Sequence, residues 1–338
     1  LILLIFCTVS ISAQERESII GKWDLNVQMK NKIAPSWLEV KLSGTNTLVG
    51  YFVEYNGSAR PISEVYFQNG IIDFSIPPQW NGNTDLHFTG KLTNGKLVGT
   101  ILGSNAIAYP FDGSRAPKLI RKEAIKFGKE KPLFNGESLN GWHQANENKK
   151  NQWIAEKGVL KNPYSGNNLV TDESFEDFQL HLEVRYPQES NSGIYLRGRY
   201  EVQVEDSFGK DPNSILFGAV YGFLTPNQMA AKPAGEWQVF DITLIGRRVT
   251  IIANDKIIIN DQIIPGITGG ALDSNEGAPG PIMLQGDHGK VEYRNITINK
   301  RTMGRLTKRH KLLTSEVRDS LLEPENIQRD LQIGLNVL

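Results

Sequence analysis

The chain has 338 residues, enough for about two domains of roughly 150 residues each and for well-buried cores. Lysine and arginine together number 37, and so do aspartate and glutamate, so the formal net charge is zero. No field of one sign favours nucleic acid or an anionic membrane as a partner.

Residues 1–14, LILLIFCTVSISAQ, are apolar and end in Ile11-Ser12-Ala13 before Gln14. They read as the apolar region and cleavage site of a secretory signal whose charged start is missing. They are too short for a spanning helix. The expectation is an exported protein, periplasmic or extracellular, with no transmembrane segment. Cys7 is the single cysteine, so the mature chain would hold no disulfide. Leu4-Ile5-Phe6 before it is a poor lipoprotein box, which wants small residues, so free export is preferred over a lipid anchor.

Residues 19–113 alternate repeatedly: Trp23, Leu25, Val27, Met29; Leu38, Val40, Leu42; Val49, Tyr51, Val53, Tyr55. Asn56-Gly57, Asn69-Gly70 and Asn94-Gly95 punctuate them, and Asn-Gly favours hairpins because both residues tolerate positive φ. The pattern predicts a small all-β barrel or sandwich. Gly21-Lys22-Trp23 is similar to the Gly-x-Trp of lipocalin-like barrels. Tyr51, Tyr55, Trp80 and Phe88 are either core or the lining of a ligand mouth. Residues 114–131, SRAPKLIRKEAIKFGKEK, are basic with little β pattern and read as a linker with a solvated face.

Residues 132–299 form a second domain of many short strands with turns every ~8–12 residues, as in a sandwich or jelly roll. Phe178 to Val184 alternates cleanly, and Val249–Ala253 with Lys256–Asn260 makes a hairpin around Asn254-Asp255. The stretch Ser192 to Phe208, SGIYLRGRYEVQVEDSF, is the most informative. A three-residue loop, Gly198-Arg199-Tyr200, keeps the apolar set together and pairs Arg197 with Glu201 and Tyr195 with Gln203. One face is then a polar panel of Tyr195, Arg197, Glu201 and Gln203. Strand chemistry alone is equally served by an exposed face with an ordinary Arg–Glu pair.

The segments LFNGESLNGW, NSGIYLRGRYEVQVEDSF, GAVYG, PAGEW and GPIMLQGDHGKVEYRNITI, in that order, resemble the 3-keto-disaccharide hydrolase family over residues 132–299. The resemblance implies a concanavalin-like jelly-roll sandwich. It also implies cleavage of glycosides whose glucose ring a separate sugar 3-dehydrogenase has already oxidised at carbon 3. A carbonyl at carbon 3 makes the carbon-2 hydrogen acidic. A base can remove it, the enolate expels the carbon-1 substituent, and water adds back. Such a route needs a base, a group to hold the enolate oxygen and an acid for the leaving oxygen. It needs no redox cofactor.

Glu201 is the first candidate for the base, on a rigid strand, and Asp206 the second. His288, in Gln285-Gly286-Asp287-His288-Gly289, is a candidate base or acid. Arg197 and Gln203 are candidates to hold the enolate or sugar hydroxyls. Tyr221, Gln285 and Arg294 are candidates to line the same cleft, and Trp237 or Tyr195 to stack on the sugar. Each has a plainer role: Glu201 neutralising Arg197, His288 capping a turn, Arg294 on backbone carbonyls, Trp237 in the core. The five histidines have no close ligand spacing. Calcium through Glu201, Asp206 and backbone oxygens is conceivable in this fold, but no Asp-rich loop supports it. Two other functions stay open: a carbohydrate-binding protein without turnover, and a two-carboxylate glycosidase. The latter wants its carboxylates about 5–9 Å apart, and Glu201 and Glu205 would lie ~13 Å apart along a strand. Residues 300–338 turn helix-like, with Leu313, Val317 and Leu321 on one stripe of a tail expected to dock on the sandwich. Oligomeric state is not legible.

Overall fold

A computed structural model describes residues 15–80, 82–121 and 124–302. The signal-like residues 1–14 and the tail from 303 onward, with Cys7, Leu313, Val317 and Leu321, lie outside the described residues. The first domain is a closed eight-stranded antiparallel barrel. Its strands are β1 (Gly21–Met29), β2 (Lys32–Ser43), β3 (Thr47–Val53), β4 (Ala59–Gln68), β5 (Ile71–Ile76), β6 (Leu86–Thr93), β7 (Lys96–Leu102) and β8 (Ala108–Arg115). Each pairs with the next, and β1 closes on β8 from Trp23↔Arg115 to Val27↔Phe111. Closure removes exposed sheet edges. Alternation turns Trp23, Leu25, Val27, Leu38, Val40 and Phe52 inward, and Phe74, Phe88 and Phe111 fill the centre, with Phe88 4.6 Å from Phe74 and 4.5 Å from Phe111. Phe88 is therefore core, whereas Tyr51 sits outside beneath Lys41 at 4.7 Å.

The barrel's two ends differ. At one, Asn69-Gly70 and Asn94-Gly95 form tight two-residue turns with positive φ, and a helical turn at 15–19 covers Trp23. The Trp23 indole donates to the Ile19 carbonyl at 3.0 Å, and the Arg115 guanidinium stacks 3.9 Å above its ring. At the other end stand the turn 30–31 and the longer loops 54–58, 77–85 and 103–107. Asn56-Gly57 belongs to this end. It lies within a five-residue loop rather than a tight hairpin, because the Gly270 amide of the second domain takes the Tyr55 carbonyl at 2.8 Å.

The second domain is a concanavalin-like sandwich. Its strands are β9 (Lys131–Pro132), β10 (Trp142–Gln144), β11 (Ile154–Glu156), β12 (Val159–Asn162), β13 (Leu169–Phe175), β14 (Phe178–Arg185), β15 (Asn191–Leu196), β16 (Tyr200–Glu205), β17 (Gln238–Ile245), β18 (Arg248–Ala253), β19 (Lys256–Ile263), β20 (Gly280–Leu284) and β21 (Val291–Lys300). One sheet runs β10-β13-β20-β15-β16; the other runs β11-β12-β21-β14-β17-β18-β19, with β9 beside β21. Leu180, Leu182, Val184, Phe240, Ile242 and Leu244 from the larger sheet meet Ile194, Leu196, Val202, Val204, Ile282 and Leu284 from the smaller. Burial of each such side chain contributes roughly 1.5–3 kcal/mol.

The segment between the domains runs along the sandwich, where Arg121 pairs with the buried Asp177 at 2.9 Å and the Gly128 amide donates to Lys300. The domains also meet directly. Trp37 points out of the barrel, is fully buried, and packs edge-on against Phe223 at 5.2 Å. A Cβ on Gly269 would sit 2.4 Å from the Gly57 carbonyl, so the loops approach at a distance only glycine permits. The Ser274 hydroxyl donates to Asn26 at 2.5 Å. Among the described residues no helix is long and apolar enough to cross a membrane.

Candidate functional site

The site is built on the outer face of the smaller sheet, on the hairpin β15–β16. The register pairs Tyr195 with Glu201, Gly193 with Gln203 and Leu196 with Tyr200. The loop has three residues, but they are Arg197-Gly198-Arg199, one position earlier than the alternation suggests. The pairing is therefore displaced by two residues. A shift of two preserves side-chain parity, so Tyr195, Glu201 and Gln203 still share the polar face. Arg197 does not join them. As the first loop residue it takes φ 53° and leaves the strand's alternation. Its guanidinium is fully buried elsewhere, donating to the Tyr200 hydroxyl at 2.7 Å and the Gly246 carbonyl at 3.2 Å.

β16 is held from its other side too. The Gln203 amide donates to Ala219, Gly218 donates back to Gln203, and the Tyr221 amide donates to the Glu201 carbonyl at 3.0 Å. The Glu201 amide donates to the Thr268 hydroxyl at 3.0 Å. The glycine-spaced run 218–222 thus serves as a turn-rich strip along the edge strand, anchoring the stretch that carries Glu201. Opposite, Gly193 leaves room for the acid: a Cβ there would lie 2.3 Å from Glu201 Oε1.

Over this face lies a cavity of about 390 Å³, within the usual range for small-molecule sites. Tyr195, Glu201, Gln203, Tyr221, Gln285 and His288 all line it. Asn168, Asn191 and Asp287 complete the sandwich wall, and the barrel supplies Lys32, Tyr55, Asn56 and Trp80. Of the four aromatics considered for a ligand mouth, Tyr55 and Trp80 reach the cavity. Gln203 and Gln285 are nearly buried, and each leaves its amide oxygen without a partner and shielded from solvent, so a turn of the side-chain amide is needed to offer it to a hydroxyl-bearing ligand. Among the described residues no three His, Cys, Asp or Glu side chains group as metal ligands.

Burial pushes the Glu201 carboxyl up to about 8. The neighbouring Tyr195 hydroxyl and His288 pull it down, and Asp287 adds to the rise. Burial also holds the Tyr195 phenol well above its ordinary value; its hydroxyl donates to the Gly269 carbonyl at 3.1 Å. The His288 Nδ1 lies 2.7 Å from Asp287 Oδ1. That hydrogen bond raises the imidazole against the opposing effect of burial, and the Asp287 and Glu201 charges raise it further. The cavity thus joins a buried acid of weakened acidity to a histidine whose basicity is raised, with Nε2 left free of the Asp287 contact.

Three other predicted residues lie away from it. Asp206 accepts from the Glu189 amide at 3.1 Å, capping the turn before β15. Asp206 follows the last residue of β16 and is not on the cavity wall, so it does not join Glu201 there. Trp237 and Arg294 belong to the outer face of the larger sheet. There the indole is stacked by Arg294 at 4.1 Å and Arg185 at 4.6 Å, and Arg294 is bonded to Glu183 at 2.6 Å. Sequence reasoning missed Asp287, though it adjoins His288, and Asn191, which shares the face of Gly193 and Tyr195 by simple alternation. Lys32 and Asn56 carried no local signal, because a second domain brings them in.

A buried acid, side-chain amides and aromatic rings around an open cavity on a concanavalin-like sandwich define a β-sandwich protein with a polar small-molecule site. The family model of the 3-keto-alpha-glucoside-1,2-lyase-like domain matches residues 129–299, and the chain belongs to that family. A 3-keto-disaccharide hydrolase of Bacteroides thetaiotaomicron is 23% identical over 164 residues, with 38% of this chain and 56% of that protein covered. The chain thus spans about half the length of that curated relative. Two solved structures from Parabacteroides distasonis, of proteins assigned as glycosyl hydrolases, are also similar. One is 25% identical with a TM-score of 0.44, covering 54% of this chain and 92% of the other. The second is 24% identical with a TM-score of 0.41, covering 51% and 100%.

Proposed function

We propose that the protein cleaves 3-keto-glycosides by elimination across carbons 1 and 2, with hydration completing a net hydrolysis. Glu201 removes the carbon-2 proton. The electron pair first rests on the carbon-3 oxygen as an enolate, then forms the carbon-1–carbon-2 double bond as the bond from carbon 1 to the leaving oxygen breaks. A proton from the His288–Asp287 pair goes to that oxygen; water then adds its hydroxyl at carbon 1 and returns a proton to the histidine, while Glu201 gives its proton back to carbon 2. No electrons are exchanged with a cofactor, but the substrate must first be oxidised at carbon 3 by a separate dehydrogenase.

The observation that carries this reading is Glu201: buried, in contact with the cavity, and raised to about 8. A carboxylate of that basicity is better matched to a C–H proton than an ordinary one. With Arg197 buried elsewhere, Lys32 is the lysine or arginine on the cavity wall among the described residues and is suited to the enolate oxygen, which leaves His288 for the departing one. Gln203 and Gln285 accept from sugar hydroxyls. The one other carboxylate on the wall, Asp287, is engaged by His288, which argues against a free pair of glycosidase carboxylates.

The test is the purified protein with a chromogenic 3-keto-glucoside and with its unoxidised parent. Release from the keto sugar alone is expected, and Glu201→Gln should stop it while sugar binding persists. Comparable rates on both substrates would sink the elimination. Binding of both sugars with no turnover of either would leave a carbohydrate-binding protein.

A further inference from the structure

The candidate cavity does not end at the sandwich. It continues in two directions, and the two are chemically unlike. One opens between residues 31–35 of the barrel and the loop 145–149, a groove of about 770 Å³ with Glu147, Lys149, Lys32 and Asp287 on its walls and no aromatic ring. The other enters the barrel mouth, a hollow of about 270 Å³ that shares Tyr55, Asn56 and Trp80 with the first cavity. Gln79, Ser104, Asn105 and Tyr109 enclose its far side.

Three observations decide what the mouth suits. First, it is aromatic: Trp80, 58% exposed, lies over the hollow, and Tyr55 and Tyr109 stand on the same wall. Second, its polar groups are amides and hydroxyls. Its single ionisable carboxyl, Glu54, already faces Arg60 at 3.6 Å, so it offers no free charge to an ionic ligand. Third, it is rigidly tied to the catalytic wall. Gln79 accepts from the Ser58 amide at 3.0 Å, which holds the mouth's own loops together, and the Tyr55 carbonyl takes the Gly270 amide of the sandwich at 2.8 Å. A pyranose ring has an apolar C–H face and a hydroxyl edge, which match aromatic faces rimmed by amides.

We infer that the barrel mouth is the subsite for the leaving group, and that this group is a neutral, hydroxyl-rich ring such as a second sugar. The inference rests on the reading that the keto ring lies over Glu201. Carbon 1 adjoins carbon 2, so a substituent there is carried one ring onward, past Tyr55 and Trp80. On this account the barrel selects the glycoside while the sandwich performs the cleavage.

The experiment compares kcat/KM for a 3-keto-disaccharide with that for methyl 3-keto-glucoside, which has nothing to place in the mouth. Trp80→Ala removes the exposed ring without touching the core, and Ser104→Phe fills the mouth from its far side. Each is expected to lower the disaccharide-to-methyl ratio about tenfold or more, whereas Asn148→Phe in the charged groove should leave it unchanged. An unchanged ratio in both mouth variants, or a fall with Asn148→Phe alone, overturns the subsite and leaves the proposed reaction standing. If wild type cleaves neither keto sugar, the reaction fails instead, and calorimetric binding of the unoxidised disaccharide and its methyl monoglycoside decides. Preference for the disaccharide lost in both mouth variants supports the subsite, and no preference in wild type overturns it.

Discussion

Two of the places where the molecule buries carboxyl groups are built to opposite ends. At the hairpin, Glu201 is raised by burial but faces an open cavity with a histidine across it. At the domain boundary, Asp24 of the barrel lies against Glu276 of the sandwich, 5% and 0% exposed. Burial and the neighbouring Glu276 push the Asp24 carboxyl upward as well, to about 9. Glu276 is otherwise fully served: Arg247 pairs with it, and the Tyr200 hydroxyl donates to it at 2.7 Å while accepting from Arg197. Nothing enters that cluster. A displaced acidity marks a reactive group only where a substrate can reach it; the same displacement in a sealed place joins two domains.

The contrast is sharpest in the loss of either acid. Glu201→Gln is expected to lower kcat on a 3-keto-glucoside by about 10²–10⁴-fold, the usual worth of a general base, and a smaller loss would remove Glu201 from that role. His288→Ala should cost less, on the order of 10–100-fold, and less for a good phenolate leaving group than for a sugar, because only the poorer one needs the proton. In wild type, with a phenolate leaving group that does not need the His288 proton, kcat/KM should climb about tenfold per pH unit below 8 and level off near it, since the base must be ionised. A profile that falls over that range would assign Glu201 the acid's part.

Stability gives the smallest and most discriminating effect. A carboxyl whose folded-state value exceeds its unfolded one, as at Asp24 and Glu201, keeps a proton that the unfolded chain releases above about pH 4. The folded state therefore loses ground as pH rises from about 4 toward the folded-state value. Asp24→Asn and Glu201→Gln should each raise the melting temperature by several degrees at pH 8–9 and scarcely at pH 4. Only the first should leave turnover within about twofold of wild type. A sizeable loss of activity in Asp24→Asn would mean that the boundary cluster is not sealed from the chemistry.

Much of this was legible in the chain itself. Period-two alternation gave both β domains, and it placed Tyr195, Glu201 and Gln203 on one face even though the pairing was off by two, because parity survives an even slip. Arg197 was lost for the complementary reason: alternation stops at the first left-handed residue. Parity says which face of a strand a side chain takes but not which sheet the strand joins, so Trp237 and Arg294 were grouped with a cavity on the far side of the sandwich. Lys32, Asn56 and the mouth residues gather at a barrel end whose meaning comes from a partner domain far downstream, and no local pattern encodes that.

The empty space at Gly193 has a consequence of its own. The residue neither titrates nor touches a ligand by a side chain, yet any added carbon would intrude on the acid opposite. A silent backbone position is thereby held to one amino acid as tightly as the reactive one, and a methyl group placed there would mimic an active-site lesion in a chain that still folds.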